Sequence, residues 1–146
     1  MDKDQARDYL DLIGATQQDL ARAADCPPWR HVVFGLMLAA LVLSPGLGGA
    51  IGHSLMLAGF AMLIAVVMSD RRRMGVFING YRRGRTLPLT LALLGVTLGI
   101  IFAEIYAKDA GWSITARLLL AGVELVIATA ASVIWQRIFR REMGLD

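Results

Sequence analysis

Four polar side chains stand in stretches otherwise built mainly of Leu, Ile, Val, Ala and Gly: Thr97, Glu104, Arg117 and Glu124. An ionisable group inside an apolar helix is costly, so each needs a partner or a task. Glu104 lies six residues before Ala110 and Arg117 seven after it. Two antiparallel helices joined at Ala110 put these side chains at one depth. The economical reading is a structural ion pair, with His53, at the start of another apolar stretch, close enough in level to join it. Glu124 lies 14 residues beyond Ala110, roughly 20 Å along a helix rising about 1.5 Å per residue. No Lys or Arg shares its level. A carboxyl removed from water is cheapest as the neutral acid, and reversible protonation is what a proton-coupled transporter requires. Thr97, or its neighbour Val96, comes to matching depth on the preceding helix.

Spacing ties these residues together. Thr90, Thr97 and Glu104 recur every seven residues and share a helix face; Glu124 shares one with Arg117, Ala121, Ala128, Ala131 and Trp135. A polar seam of Thr97, Glu104, Arg117 and Glu124 between the two helices follows. It could serve as a proton or ion site at Glu124 and Thr97. It could equally serve helix association alone, with a neutral Glu124 bonded to a threonine or a backbone carbonyl.

A second chemistry lies in Asp70–Thr86, which carries six arginines in 17 residues: Arg71, Arg72, Arg73, Arg82, Arg83 and Arg85. Such a cluster attracts anionic lipid headgroups or an acidic partner. Its centre reads differently. Asn79-Gly80 favours a tight type I′ turn, and Phe77, Ile78 and Tyr81 flank it, which predicts a short β-hairpin.

The elements that position these groups are apolar. The 146 residues are 56% hydrophobic, with a mean hydropathy of +0.56. The excess sits in Val32–Leu43, Ala50–Met68, Leu87–Ala107 and Ile114–Trp135. About 20 apolar residues cross the ~30 Å hydrocarbon core. The last three stretches reach that length; the first does so only with Trp29–His31 and part of Ser44–Gly49. The fold class expected is an all-α integral membrane protein, four transmembrane helices in two hairpins. The spans run about 29–46, 49–69, 87–107 and 113–136, with a tight turn over Ser44–Gly49 and a basic loop over 70–86.

Charge orients the helices. With the N-terminus inside, 13 Lys and Arg lie on the inner side and only Lys108 and Arg117 on the outer. The positive-inside rule then places both termini in the cytoplasm, and a bacterial plasma membrane fits. The first 25 residues are acidic and polar, without the apolar core of a cleavable leader. Residues 1–26 form an acidic amphipathic helix ending at Pro27 and Pro28. Its six Asp against Lys3, Arg7 and Arg22 give residues 2–25 a net −3. That charge is repelled by an anionic leaflet, so its apolar stripe needs the protein's own basic loop, a second copy or another protein. Gly95 and Gly99, extended by Ala92 and Ala103, form a small-residue face suited to a homodimer.

Several classes drop out. Cys26 is alone, so no intrachain disulfide or thiol pair forms. There is no phosphate-binding loop, zinc motif or nucleophile elbow. No enzyme activity, cofactor, metal or nucleic acid is expected. The reading is an accessory or scaffold protein that binds lipid or a protein partner through its cytoplasmic face. The alternative is a small dimeric proton-coupled transporter using Glu124.

Overall fold

The computed structural model describes residues 5, 9–10, 12–14, 27–74 and 84–142. The regular structure among them is entirely α-helical. Four helices carry it: α1 Pro28–Leu47, α2 Gly49–Met74, α3 Thr86–Asp109 and α4 Ile114–Glu142. All four are long and apolar enough to cross a membrane. The shortest, α1, has 20 residues, about 30 Å at the helical rise. The β-hairpin expected at Asn79-Gly80, Arg73, Arg82 and Arg83 as side chains, and most of the acidic N-terminal helix lie outside the described residues. The described fragments of that N-terminal stretch are helical, with Tyr9, Leu10, Leu12 and Ile13 exposed.

The helices run further than the apolar stretches. α2 continues through Asp70, Arg71 and Arg72, so the start of the basic run is helical rather than loop. α4 continues to Glu142 and carries Arg137, Arg140 and Arg141 on its last turns. The tight turn expected over Ser44–Gly49 shrinks to one residue. α1 passes through Pro45 and ends at Leu47; Gly48 and Gly49 then take positive φ angles of 62° and 52°. A proline inside a helix leaves the carbonyl four residues earlier without its N–H partner. Here that carbonyl belongs to Leu41, and the Ser44 hydroxyl donates to it at 2.8 Å. The second turn is also compact. Gly111 has φ 72°, Trp112 N–H bonds the Ala107 carbonyl at 2.8 Å, and Ser113 caps α4 by accepting from Ala116 N–H at 3.3 Å. A side-chain oxygen there satisfies an N–H that the helix cannot.

α1 is the hub. It packs against α4, α2 and α3, whereas α2 packs substantially on α1 alone. The least hydropathic of the four helices is therefore the most enclosed. Its buried positions include His31, Gly35, Ala39, Val42 and Gly46, at spacings of three and four. Ala121, Glu124, Ala128 and Ala131 repeat that spacing on α4, and Thr97 and Glu104 mark the seam on α3. Small residues let helix backbones approach where lipid removes the usual hydrophobic drive. Gly35 meets α4 closely: a Cβ there would lie 2.7 Å from the Leu125 carbonyl oxygen. Gly59 performs the same service between α2 and α1, 3.0 Å from the Leu41 side chain. The α3 glycines differ. Gly95 and Gly99 face open space, with no described atom of another element near a Cβ built on them.

Candidate functional site

The polar groups of the core lie at three levels along the α1–α3–α4 seam. The level nearest the two short turns holds the expected ion pair. Arg117 Nε donates to Glu104 Oε1 at 2.8 Å, with the glutamate fully buried and the arginine nearly so. Gly46 of α1 closes over them. A Cβ on Gly46 would collide with both Glu104 Oε1 and an Arg117 guanidinium nitrogen. The pair is joined by one hydrogen bond rather than a two-pronged fork. Glu104 Oε2 and the Arg117 Nη2 nitrogen are buried without partners among the described residues. Lys108 Nζ reaches across to the Pro45 carbonyl at 3.2 Å and ties the end of α3 to the end of α1. His53 does not join. It is exposed, and its Nδ1 donates to the Gly49 carbonyl of its own helix at 2.6 Å. Gly49 opens α2, so one turn places His53 over its own helix start, away from the α3–α4 seam.

At the middle level, Thr97 Oγ1 donates to Glu124 Oε1 at 2.6 Å. Glu124 is fully buried and Thr97 nearly so. The other carboxyl oxygen, Oε2, is also buried and has no hydrogen-bond partner among the described residues. α1 supplies no ionisable group here. Gly46 sits on the Glu104–Arg117 pair and Gly35 on Leu125 and Thr129; the buried α1 residues between them are Met37, Ala39, Val42 and Ser44. The heptad step from Glu104 to Thr97, matched by that from Arg117 to Glu124, brings all four predicted side chains onto one seam. They form two separate couples there rather than a single cluster.

Sequence spacing did not point to the third level. His31 is buried, and its Nδ1 is hydrogen-bonded to Ser132 Oγ at 2.8 Å, joining α1 to α4. One turn further in, the Thr129 hydroxyl is buried without a partner among the described residues, facing Gly35. At the same end Arg30 of α1 is ion-paired with Asp70 of α2, a buried acid. Asp70 is the one acid at the head of the arginine run, and Arg30 begins the first span; that opposition of charges was the available signal. Glu142 accepts a hydrogen bond from the Arg85 backbone N–H and lies against Gly84, joining the end of α4 to the start of α3. An acidic side chain favours that position because a helix start carries partial positive charge. Thr90, on the predicted face, bonds back to the Thr86 carbonyl at 3.1 Å.

Exposed charge is concentrated at this same end. Arg71, Arg72, Arg85, Arg137 and Arg141 are all exposed, with Trp29 exposed beside them. No family model matches the chain, and comparison with the curated proteins and the solved structures returns no match.

Proposed function

We propose that the chain crosses the bilayer four times, with the His31 and Asp70 end in the cytoplasm. It acts there as an accessory or scaffold protein that holds anionic lipid headgroups or an acidic partner. One observation carries this reading. The core's ionisable groups are turned inward and sealed, while the exposed arginines collect at a single end. The apolar exteriors of α2, α3 and α4 then face hydrocarbon, where an unpaired backbone is excluded and only helices of this length suffice. The open Gly95 and Gly99 face is available to a second copy.

Each basic residue near an anionic surface contributes about 1 kcal/mol. Glutamine at Arg71, Arg72, Arg137 and Arg141 together is therefore expected to reduce retention of phosphatidylglycerol, counted by native mass spectrometry, by more than roughly tenfold. Glutamine at Lys108 leaves it unchanged. Equal retention in both variants removes the lipid role. Orientation is read in the same preparation. With Cys26 replaced by serine, a membrane-impermeant maleimide on right-side-out vesicles labels a cysteine placed at Asp109 and spares one placed at Arg72. The reverse pattern overturns the orientation.

A second reading, the small dimeric proton-coupled transporter, is favoured by one observation of its own. Glu124 Oε2 is a buried carboxyl oxygen with no partner among the described residues.

A further inference from the structure

We propose that Glu124 is a proton-binding site that exchanges with the His31 end of the bundle rather than past the sealed Glu104–Arg117 pair at the opposite end. This rests on the second reading above only in using the same carboxyl; it holds whether or not any substrate is carried.

The first step is electrostatic. A buried carboxylate keeps its charge when a cation and several hydrogen bonds replace the water it lost. Glu104 has its cation, Arg117, at 2.8 Å. Among the described residues Glu124 has a single neutral donor, the Thr97 hydroxyl. The buried positions of the packed elements between the Glu104–Arg117 pair and His31 add no charge among the described residues: Thr97 on α3, Met37, Ala39, Val42 and Ser44 on α1, and Ala121 and Ala128 on α4. α2 packs substantially only on α1. The charged or titratable groups on the seam are the Glu104–Arg117 pair to one side and His31 to the other. The two buried carboxyls therefore differ in surroundings. Glu104 has a guanidinium against one oxygen. Glu124 has a neutral hydroxyl on Oε1, and its Oε2, buried without a described partner, is the place for a proton. Binding adds one proton to the carboxylate; release returns it and leaves an anion that water must reach.

The second step is direction. From Glu124 toward the His31 end, α4 carries Thr129 and then Ser132, and Ser132 is bonded to His31. The steps from Glu124 to Thr129 and from Thr129 to Ser132 are five and three residues, about 7.5 and 4.5 Å along the axis, and Thr129 is turned about 140° around α4 from Glu124, so water must bridge that gap. A hydroxyl or an imidazole both donates and accepts, so each can pass a proton on. The Thr129 hydroxyl is buried without a described partner, which leaves it free to do so. Toward the other end, the α4 seam offers Ala121 and then Arg117, whose guanidinium is held by buried Glu104 under Gly46. No hydroxyl or imidazole stands between on the α4 seam.

The test is infrared spectroscopy of the full chain in lipid nanodiscs. The wild type is expected to show a protonated-carboxyl stretch that disappears in Glu124→Gln. After transfer to deuterated buffer, the band shifts. The paired change His31→Phe with Ser132→Ala slows that shift by roughly 100-fold or more, the size typical of losing a positioned proton-transfer group. Lys108→Met, at the other end, leaves it unchanged. A second measurement needs no variant: dicyclohexylcarbodiimide, an apolar reagent for protonated carboxyls, modifies Glu124 and spares Glu104 in peptide mass maps. Absence of both the band and the adduct overturns the proton site. A band whose exchange ignores His31 and Ser132 overturns the entry route. Protonated Glu124 with no proton flux in proteoliposomes removes the transporter reading and leaves this inference standing.

Discussion

Replacing Arg117 with methionine is expected to lower the free energy of unfolding by about 3–5 kcal/mol, the range measured when one partner of a buried ion pair is removed. The cost comes from what remains. Glu104 is fully buried, and Arg117 Nε is its hydrogen-bond donor. Without it, the carboxyl must bind a proton, admit water past Gly46, or push α1 away. The double change Glu104→Met with Arg117→Met is expected to recover most of the loss, because it removes the desolvated charge along with its partner. Equilibrium unfolding in mixed micelles, followed by tryptophan fluorescence, measures both. A single variant as stable as the wild type would mean that the guanidinium contributes nothing at this level. The double variant separates a pair that stabilises from one that mainly sets register. Full recovery assigns the pair to register. The single hydrogen bond, with Glu104 Oε2 and Arg117 Nη2 both without partners among the described residues, favours that outcome.

Depth arithmetic makes this pair legible in the sequence. Residues equidistant from a short turn on antiparallel helices must meet, and Thr97 with Glu124 follows by one further heptad. The arithmetic fails where the contact is between helices that are not joined by a turn. His31 with Ser132, and Arg30 with Asp70, depend on which helix lies against which, and no spacing within one segment encodes that. The hub role of α1 was hidden for a related reason. Hydropathy ranks segments by apolar content, and α1 ranks last although its neighbours enclose it most. Its His31, Ser44 and Pro45 are the residues of a helix enclosed by protein. Small residues depend on the partner in the same way. Gly95 and Gly99 match the familiar spacing yet meet no other described element, while Gly35, Gly46 and Gly59 sit at the helix contacts. A glycine pattern tells which face permits close approach, and only the partner decides whether the approach occurs.

Gly35→Ala tests that distinction directly. An added methyl would lie 2.7 Å from the Leu125 carbonyl oxygen and against the Thr129 hydroxyl. The carbonyl belongs to the α4 backbone and cannot rotate aside, so α1 and α4 must separate. Overpacking of this kind costs about 1–3 kcal/mol, and a backbone obstacle places Gly35 at the upper end. Gly46→Ala is milder, because its obstacles are mainly the ends of two side chains that can repack together. In the helix interiors of α3 and α4, Gly95, Gly99 and Gly122 have open space around a new Cβ. Alanine there removes up to about 1 kcal/mol of helix-propensity cost, so these variants should unfold no more easily than the wild type. The separation of α1 from α4 also reaches the neighbouring levels. Opening the seam at Gly35 admits water beside Thr129, on the side from which Glu124 exchanges its proton. Gly35→Ala is thus expected to be less stable and also to exchange the Glu124 proton faster, while the Gly95 and Gly99 variants change neither. Loss of stability at Gly95 equal to that at Gly35 would show that the open α3 face is packed, against another element of the chain or against a second copy.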